Sequence, residues 1–162
     1  MTESAAKTKT TAIEATSLPS VSSTGYPEPY RQMVAGRSRR RLGDAFGLKN
    51  FGVNLTRLEP GAMSSMRHWH FKQDEFVYML EGEVVLITDA GEQILRPGMV
   101  VGFPAGKPDG HHMINRSSRP AVYLEIGDRL PGDGADYPDI DMKVAQDATG
   151  KFLYAHKDGT PY

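Results

Sequence analysis

The sequence predicts an all-β domain of the sandwich or barrel class, and three observations carry this prediction. From about residue 49, apolar residues recur at every second position, which is the period of a strand with one buried face. The chain of 162 residues contains 17 Gly and 11 Pro, which favour tight turns between many short elements. No segment offers about ten residues of good helical periodicity between capping residues, so helices are not expected to build the core.

The predicted strands follow one another at the spacing that is typical of sandwiches and barrels. Phe51, Val53 and Leu55 alternate with small or polar residues, and we expect these three side chains to line the interior. Six further segments are rich in β-branched and aromatic residues and are separated by Gly, Pro and Asp turn signals. They are 75–80, 83–88, 93–95, 99–103, 112–115 and 122–126.

The composition divides the chain into four parts. Residues 1–25 hold eleven Ser or Thr and few large apolar side chains, which predicts a flexible tail. Residues 26–48 form a lead-in segment, which begins with extended backbone at 26–30 because the residues before Pro27 and Pro29 avoid helical backbone. Residues 49–128 form the barrel, and residues 129–162 form a C-terminal extension that packs on its outside.

The lead-in contains a basic cluster, Arg37-Ser38-Arg39-Arg40-Arg41. It is either a patch for an anion or a nucleic acid, or a solvated connection whose guanidinium groups pair with acids elsewhere. The formal net charge of -1 favours the solvated connection and predicts no nucleic-acid partner. The sequence leaves open whether Arg39 or Arg41 reaches a ligand pocket.

Several classes of protein are excluded by what the chain lacks. With no Cys, it forms no disulfide and has neither a thiolate nucleophile nor a Cys-ligated metal. The N-terminus has no apolar run typical of a secretory signal, and no window approaches the ~18 apolar residues of a membrane span. We therefore expect a cytoplasmic protein with no membrane partner.

Four of the five His lie in two short clusters, His68-Trp69-His70 and His111-His112. On a strand the rings of His68 and His70 project to the same side, and Glu75 follows after a polar turn. A third imidazole from the second cluster would complete a set of three nitrogens and one oxygen. Such a set suits a divalent transition metal, namely Mn, Fe, Co, Ni, Cu or Zn, better than Ca or Mg.

The choice of the third imidazole depends on spacing. His111 lies three residues before Asn115, and this favours His111 as the ligand, with His112 as the alternative. Alternation then places Met113 and Asn115 on the same side as His111. The remaining His would contact the ligand set, contact a substrate or lie at the surface.

These residues belong to a longer pattern of two motifs. In the first, Gly61 precedes His68-Trp69-His70, four residues separate His70 from Glu75, and six separate Glu75 from Gly82. In the second, Gly98 leads by five residues to Pro104-Ala105-Gly106, and His111 lies three residues before Asn115. The pattern resembles the two motifs of the cupin superfamily over residues 49–128. It departs from the usual motifs in two spacings. Six residues separate Gly61 from His68, where five is usual, and four separate Gly106 from His111, where two is usual.

The resemblance, which is closest to a group of small bacterial single-domain cupins, implies the fold and the metal. The expected fold is a double-stranded β-helix, or jelly-roll barrel, and the implied ligands are His68, His70, Glu75 and His111. Two function classes follow. One is a metal-dependent enzyme that isomerises, or cleaves in a dioxygenase-like reaction, a small enolisable or aromatic compound. The other is a non-catalytic module that binds or senses a small molecule.

No side chain is assigned as catalytic from the sequence. The chain has no Gly-x-Ser-x-Gly elbow and no phosphate-binding loop that ends in Lys-Ser or Lys-Thr. Cupins commonly pair through strands of facing barrels, so the resemblance also implies a homodimer.

Overall fold

The computed structural model describes residues 11–162, and strands dominate its regular structure. After a 3-10 turn at Ala15–Ser17, the elements in chain order are α1 Tyr30–Met33, β1 Arg37–Arg41, α2 Leu42–Ala45, β2 Phe51–Leu58, β3 Trp69–His70, β4 Glu75–Glu81, β5 Val84–Thr88, β6 Gly91–Leu95, β7 Val100–Phe103, β8 His112–Ile114, β9 Ala121–Asp128, β10 Gly134–Tyr137, β11 Met142–Gln146 and β12 Phe152–Ala155. The prediction of an all-β fold is confirmed.

Two antiparallel sheets enclose the main core. One has the strand order β1-β2-β9-β4-β7, and the other has the order β6-β5-β8. Leu58, Met79 and Tyr123 of the first sheet pack with Val84 and Leu95 of the second in one buried cluster. Burial of this apolar surface between the sheets is the main stabilisation of the barrel.

The side chains of β2 face in the direction opposite to the predicted one. The residues buried in this strand are Thr56 and Leu58, whereas Phe51 is exposed and Val53 and Leu55 are half-buried. The prediction that Phe51, Val53 and Leu55 line the interior is therefore wrong. The inner face of β2 carries Thr56, Leu58 and Asn54, whose side-chain amide donates to Glu125 across the sheet. Phe51, Val53 and Leu55 lie on the outer face.

The basic cluster is a strand of the barrel sheet. Residues 37–41 form β1, which pairs antiparallel with β2 in a register running from Arg37 opposite Leu58 to Arg41 opposite Asn54. Arg37 is only 5% exposed. The cluster is therefore not a solvated connection, because ladder hydrogen bonds and burial fix it in the fold. The predicted pairing of its guanidinium groups with acids is confirmed for Arg39, whose Nε lies 2.7 Å from Oε1 of Glu125. The rest of the predicted lead-in contains α1 and α2.

The predicted tail is only partly within the described residues, since residues 1–10 lie outside them. From residue 11 the chain runs to the edge strand β1. Val21 and Arg39 exchange two backbone hydrogen bonds, of 2.8 and 2.9 Å. These bonds cover part of the otherwise open edge of the sheet.

The C-terminal extension forms strands of its own. β10, β11 and β12 join β3 in a sheet with the order β12-β11-β10-β3. Ala135 lies opposite His70, and Asp136 lies opposite Trp69. The extension therefore supports the strand that carries the first histidine cluster.

Within residues 11–162, no helix is both long and apolar enough to cross a lipid bilayer. The cytoplasmic location stays a prediction.

Candidate metal centre

Three elements bring the two histidine clusters to one place. The backbones of His68 and His111 exchange two hydrogen bonds, of 3.2 and 2.8 Å, so the clusters lie side by side. His70 follows on β3, and Glu75 is the first residue of β4. Because Glu75 pairs with Phe103 of β7 and Gly127 of β9, its backbone position is fixed at one end of the barrel sheet.

Glu75 is the common neighbour of the three imidazole rings. One ligand atom from each of His68, His70 and Glu75 lies within 4.8 Å of the others, a group that could hold a metal ion. The Nε2 atoms of His68 and His70 lie 3.9 and 3.8 Å from the Glu75 carboxylate. Nε2 of His111 is closer, at 2.8 Å from Oε2 of Glu75. All three rings therefore present the same nitrogen to one carboxylate.

Hydrogen bonds on the far side of two rings fix their tautomers. Nδ1 of His68 lies 2.9 Å from the carbonyl oxygen of Met66, which can only accept a hydrogen bond. Nδ1 of His70 lies 2.7 Å from Oδ2 of Asp133. A ring that donates from Nδ1 keeps a lone pair on Nε2 when it is neutral, which is the form that binds a metal.

The protonation states agree with this arrangement. Burial lowers the pKa of His68 to about 4, so this ring is neutral near pH 7. Burial opposes ionisation of Glu75, but the hydrogen bond from His111 and the neighbouring imidazoles lower its pKa to about 2. The site thus contains a neutral imidazole beside an ionised carboxylate, which are the forms that ligate divalent ions.

The two residues of the second cluster have different surroundings. His111 is buried, contacts Glu75 and stacks on Phe103 with a ring-centroid distance of 3.5 Å. Nδ1 of His112 instead lies 3.1 Å from the carbonyl oxygen of Ser65. The contact with Glu75 thus belongs to His111, and its role as a ligand stays a prediction.

The comparisons with known proteins identify the family. A model of the cupin domain matches residues 54–127. The chain is 48% identical to a sugar phosphate isomerase of the cupin superfamily from Silicibacter pomeroyi DSS-3, with 93% of this chain and 96% of that chain covered and a TM-score of 0.89. The chain belongs to the cupin superfamily.

Two more solved structures resemble this cupin. A protein from Acidithiobacillus ferrooxidans, provisionally assigned as a sugar phosphate isomerase, is 32% identical, with 78% of this chain and 80% of that chain covered and a TM-score of 0.70. The polyketide cyclase RemF from Streptomyces resistomycificus is 19% identical, with 74% and 79% covered and a TM-score of 0.61, and it shows the fold alone. A search of curated proteins gave no significant match.

The donor set of this cupin fits a divalent transition metal. Imidazole nitrogens with one carboxylate suit ions from Mn to Zn, whereas Ca and Mg prefer oxygen ligands throughout. The fixed tautomers of His68 and His70 make two nitrogens available without rearrangement. His111 differs, because its Nδ1 is buried and has no hydrogen-bond partner among residues 11–162, so no hydrogen bond fixes its proton there.

The candidate centre lies in the wall of a large cavity. The cavity measures about 750 Å³, which is within the range of small-molecule sites. His68, His70, Glu75 and His111 all contribute to its lining. A small organic molecule in the cavity would therefore contact the candidate metal centre.

The sequence reasoning missed three side chains that support the candidate ligands. Asp133 holds His70, Phe103 covers one face of His111, and Tyr137 stacks on His68 with a centroid distance of 5.6 Å. Asp133 and Tyr137 lie in the C-terminal extension, outside both cupin motifs. In the sequence, Asp133 stands out only as a carboxylate between two glycines, Gly132 and Gly134. That pattern is equally typical of an ordinary turn.

We expect Asp133→Asn to weaken metal binding about 10- to 100-fold, the usual effect of losing the partner of a ligating His. Asp133 accepts hydrogen bonds from the His70 ring and from the Lys72 backbone N–H at 2.7 and 2.9 Å. An amide can present an N–H to Nδ1 of His70 and so favour the tautomer with a proton on Nε2. Competition with a metal-sensitive dye measures the affinity.

Asp141→Asn is the matched control for this prediction. Asp141 lies 2.9 Å from Nδ1 of His156, in an exposed carboxylate–imidazole pair away from the candidate centre. Its variant should bind metal like the wild type. Equal affinities for the Asp133 variant and the wild type would contradict the assigned role.

Proposed function

We propose that this cupin is a metal-dependent isomerase of sugar phosphates. In this proposal His68, His70, Glu75 and His111 hold one divalent transition metal ion. The observation that carries it is the convergence of three imidazoles on one carboxylate in the wall of the cavity. The 48% identity to a protein named as a sugar phosphate isomerase, over 93% of this chain, supports the choice of reaction.

A divalent ion bound there would supply Lewis-acid polarisation of a carbonyl or enediolate oxygen. The protein itself orients the imidazole rings and shields one of them from water. Asp133 and the Met66 carbonyl hold two rings in the ligating tautomer. Phe103 stacks on His111, which keeps water from that face of the ring.

The proposal is tested by following isomerisation directly. The protein is loaded in turn with Mn, Fe, Co, Ni, Cu and Zn and incubated with pentose and hexose phosphates in D₂O. Aldose–ketose conversion through an enediolate exposes the transferred proton to solvent, so NMR detects both the product and deuterium incorporation. We expect metal-dependent turnover with at least one pair of metal and sugar phosphate.

The other predicted functions give different outcomes in the same experiment. Oxygen uptake with diketones, catechols or keto acids, without sugar phosphate turnover, would support dioxygenase-like cleavage instead. Metal and ligand binding without turnover would support a non-catalytic binding or sensing module. Either result would overturn the isomerase proposal.

The homodimer belongs to the same proposal and is supported by the outer face of the barrel sheet. Phe76, Tyr78 and Leu80 on β4 and Val100 on β7 are all exposed. Exposed apolar side chains on adjacent strands are typical of protein interfaces. A second copy of the chain, packed face to face, would bury this surface.

Light scattering is expected to give about twice the chain mass of 17.8 kDa. Phe76→Lys combined with Val100→Lys places two charges in the proposed interface and should shift the mass toward the monomer. Phe46→Lys changes an equally exposed apolar residue outside this face and should not. A monomeric wild type, or a double variant that remains dimeric, would contradict the interface.

A further inference from the structure

Strand β1 directs three guanidinium groups into the cavity. Arg37, Arg39 and Arg41 alternate along the strand, and all three line the same cavity as the candidate metal centre. Residues at every second position of a strand share one face of the sheet. The basic cluster is therefore a row of cations on the inner wall.

The carboxylates of the cavity do not balance all of its cationic side chains. Nε of Arg39 lies 2.7 Å from Oε1 of Glu125, whereas the nearest carboxylate to Arg41, that of Asp44, is 3.9 Å away. Asp44 is also 2.5 Å from Arg129, so two guanidinium groups share it. In all, five Lys or Arg side chains and four carboxylates line the cavity, one of which is Glu75. With Glu75 assigned to the metal centre, the remaining lining has a surplus of two positive charges.

Arg37 is the most unusual member of the row. Its side chain is buried, with 5% exposure, and it donates to the carbonyl oxygen of Ser64. Among residues 11–162 it pairs with no carboxylate, although a buried charge without a counterion is costly. A buried, unpaired guanidinium that lines a cavity indicates an anionic ligand.

The row lies close to the candidate metal centre. In the β4–β9 ladder, Glu75 is opposite Gly127 and Val77 is opposite Glu125. Glu75 and Glu125 are therefore diagonal neighbours, whose Cα atoms are typically about 7–8 Å apart. The Arg39 guanidinium is paired with Glu125 and therefore lies beside the diagonal neighbour of Glu75 in the sheet.

Polar side chains from other positions fill the space beside Glu75 in the sheet. Gly127 and Gly52 lie in the same row across the sheet as Glu75, so no side chain rises from the wall at those two positions. The Gln73 amide lies over Gly127, and the Arg129 guanidinium lies over Gly52. Two polar side chains, those of Gln73 and Arg129, therefore line the cavity wall next to Glu75.

We propose that Arg37, Arg39 and Arg41 bind the phosphate group of the substrate while its carbonyl end lies at the metal centre. Arg39 is held by Glu125, a diagonal neighbour of Glu75 in the sheet, so a molecule with an anionic group a few carbons from its carbonyl could contact both sites. Guanidinium groups suit this task because their planar N–H forks bind phosphate oxygens in pairs. The inference rests on the proposed function, since it names how that site recognises a sugar phosphate.

The test uses inorganic phosphate as the probe in isothermal titration calorimetry. We expect Arg39→Gln and Arg37→Gln each to weaken phosphate binding about tenfold or more, the usual effect of losing a hydrogen bond to a charged group. Arg57→Gln is the control, because Arg57 is exposed on β2 and pairs with Glu59 at 2.7 Å. Circular dichroism checks each variant, and the more exposed Arg41→Gln replaces Arg37→Gln if the buried change prevents folding.

A second variant separates this site from the metal. His68→Ala combined with His70→Ala should still bind phosphate, because the arginine row does not depend on the metal. Loss of phosphate binding in this variant, unchanged binding in the arginine variants or no binding by the wild type would each overturn the inference. Arginine-dependent phosphate binding without isomerisation would leave it standing while the proposed function fails.

Discussion

Replacing His68 and His70 together by Ala is expected to abolish metal binding and isomerase turnover while leaving a folded barrel. The two rings supply half of the proposed ligands, and both direct Nε2 toward Glu75. Metal affinity depends steeply on the number of ligands, so Glu75 and His111 alone should hold a divalent ion only weakly. Elemental analysis should show a fall from about one ion per chain to almost none.

The fold should survive this change because the main core lies elsewhere. Leu58, Met79 and Tyr123 are fully buried in a cluster that includes neither histidine. The far-ultraviolet circular dichroism spectrum should therefore keep its β-sheet form. His112→Ala with His156→Ala is the matched control, since it also removes two imidazoles. Metal loss in the control, or retention in the test variant, would refute the ligand assignment.

Single replacements decide between the two candidates for the third imidazole. His111→Ala should weaken metal binding, because the His111 ring contacts Glu75 at 2.8 Å. His112→Ala should have little effect, since Nδ1 of His112 lies against the Ser65 carbonyl. The reverse pattern in a metal titration would assign the role to His112.

The candidate site was predictable where local spacing determines geometry. His68 and His70 are two residues apart, so a strand places their rings on one side whatever surrounds them. The position of Glu75 depends only on a short turn. His111 comes from a distant strand, and its approach to Glu75 was predictable only through the resemblance to a known motif.

Other features depend on long-range pairing and left little trace in the sequence. Asp133 reaches His70 because β10 pairs with β3, and nothing in a polar, glycine-rich segment specifies that pairing. The direction of β2 was also missed. Alternation shows that a strand has two faces, but it does not show which face is interior when the interior includes a polar cavity.

The same ambiguity explains the basic cluster. Alternating arginines normally indicate a solvated strand or loop, because a buried guanidinium is costly without a partner. Here Arg37 and Arg39 face inward, since the interior holds Glu125 and a cavity with room for an anion. Functional residues are expected where a sequence departs from the pattern of a simple apolar core.

Gly82→Ala is expected to destabilise the barrel by about 2–5 kcal/mol, the sum of left-handed backbone strain and steric overlap. Gly82 has a φ of +68°, a conformation that L side chains rarely adopt. A Cβ there would lie 2.5 Å from the carbonyl oxygen of Pro120 and 2.9 Å from Cα of Ala121. Both contacts are with backbone, so no flexible side chain can move away to relieve them.

Gly98→Ala is the control that separates steric overlap from left-handed backbone strain. Gly98 has a φ of +88°, but a Cβ there would meet nothing within 4 Å, so only the strain of about 1–2 kcal/mol remains. Urea unfolding of both variants, with the slope unchanged, measures the difference. Gly82 ends the first motif, next to β9. If both variants lose the same free energy of unfolding, close contact with the backbone of Pro120 and Ala121 is not the reason that this position requires glycine.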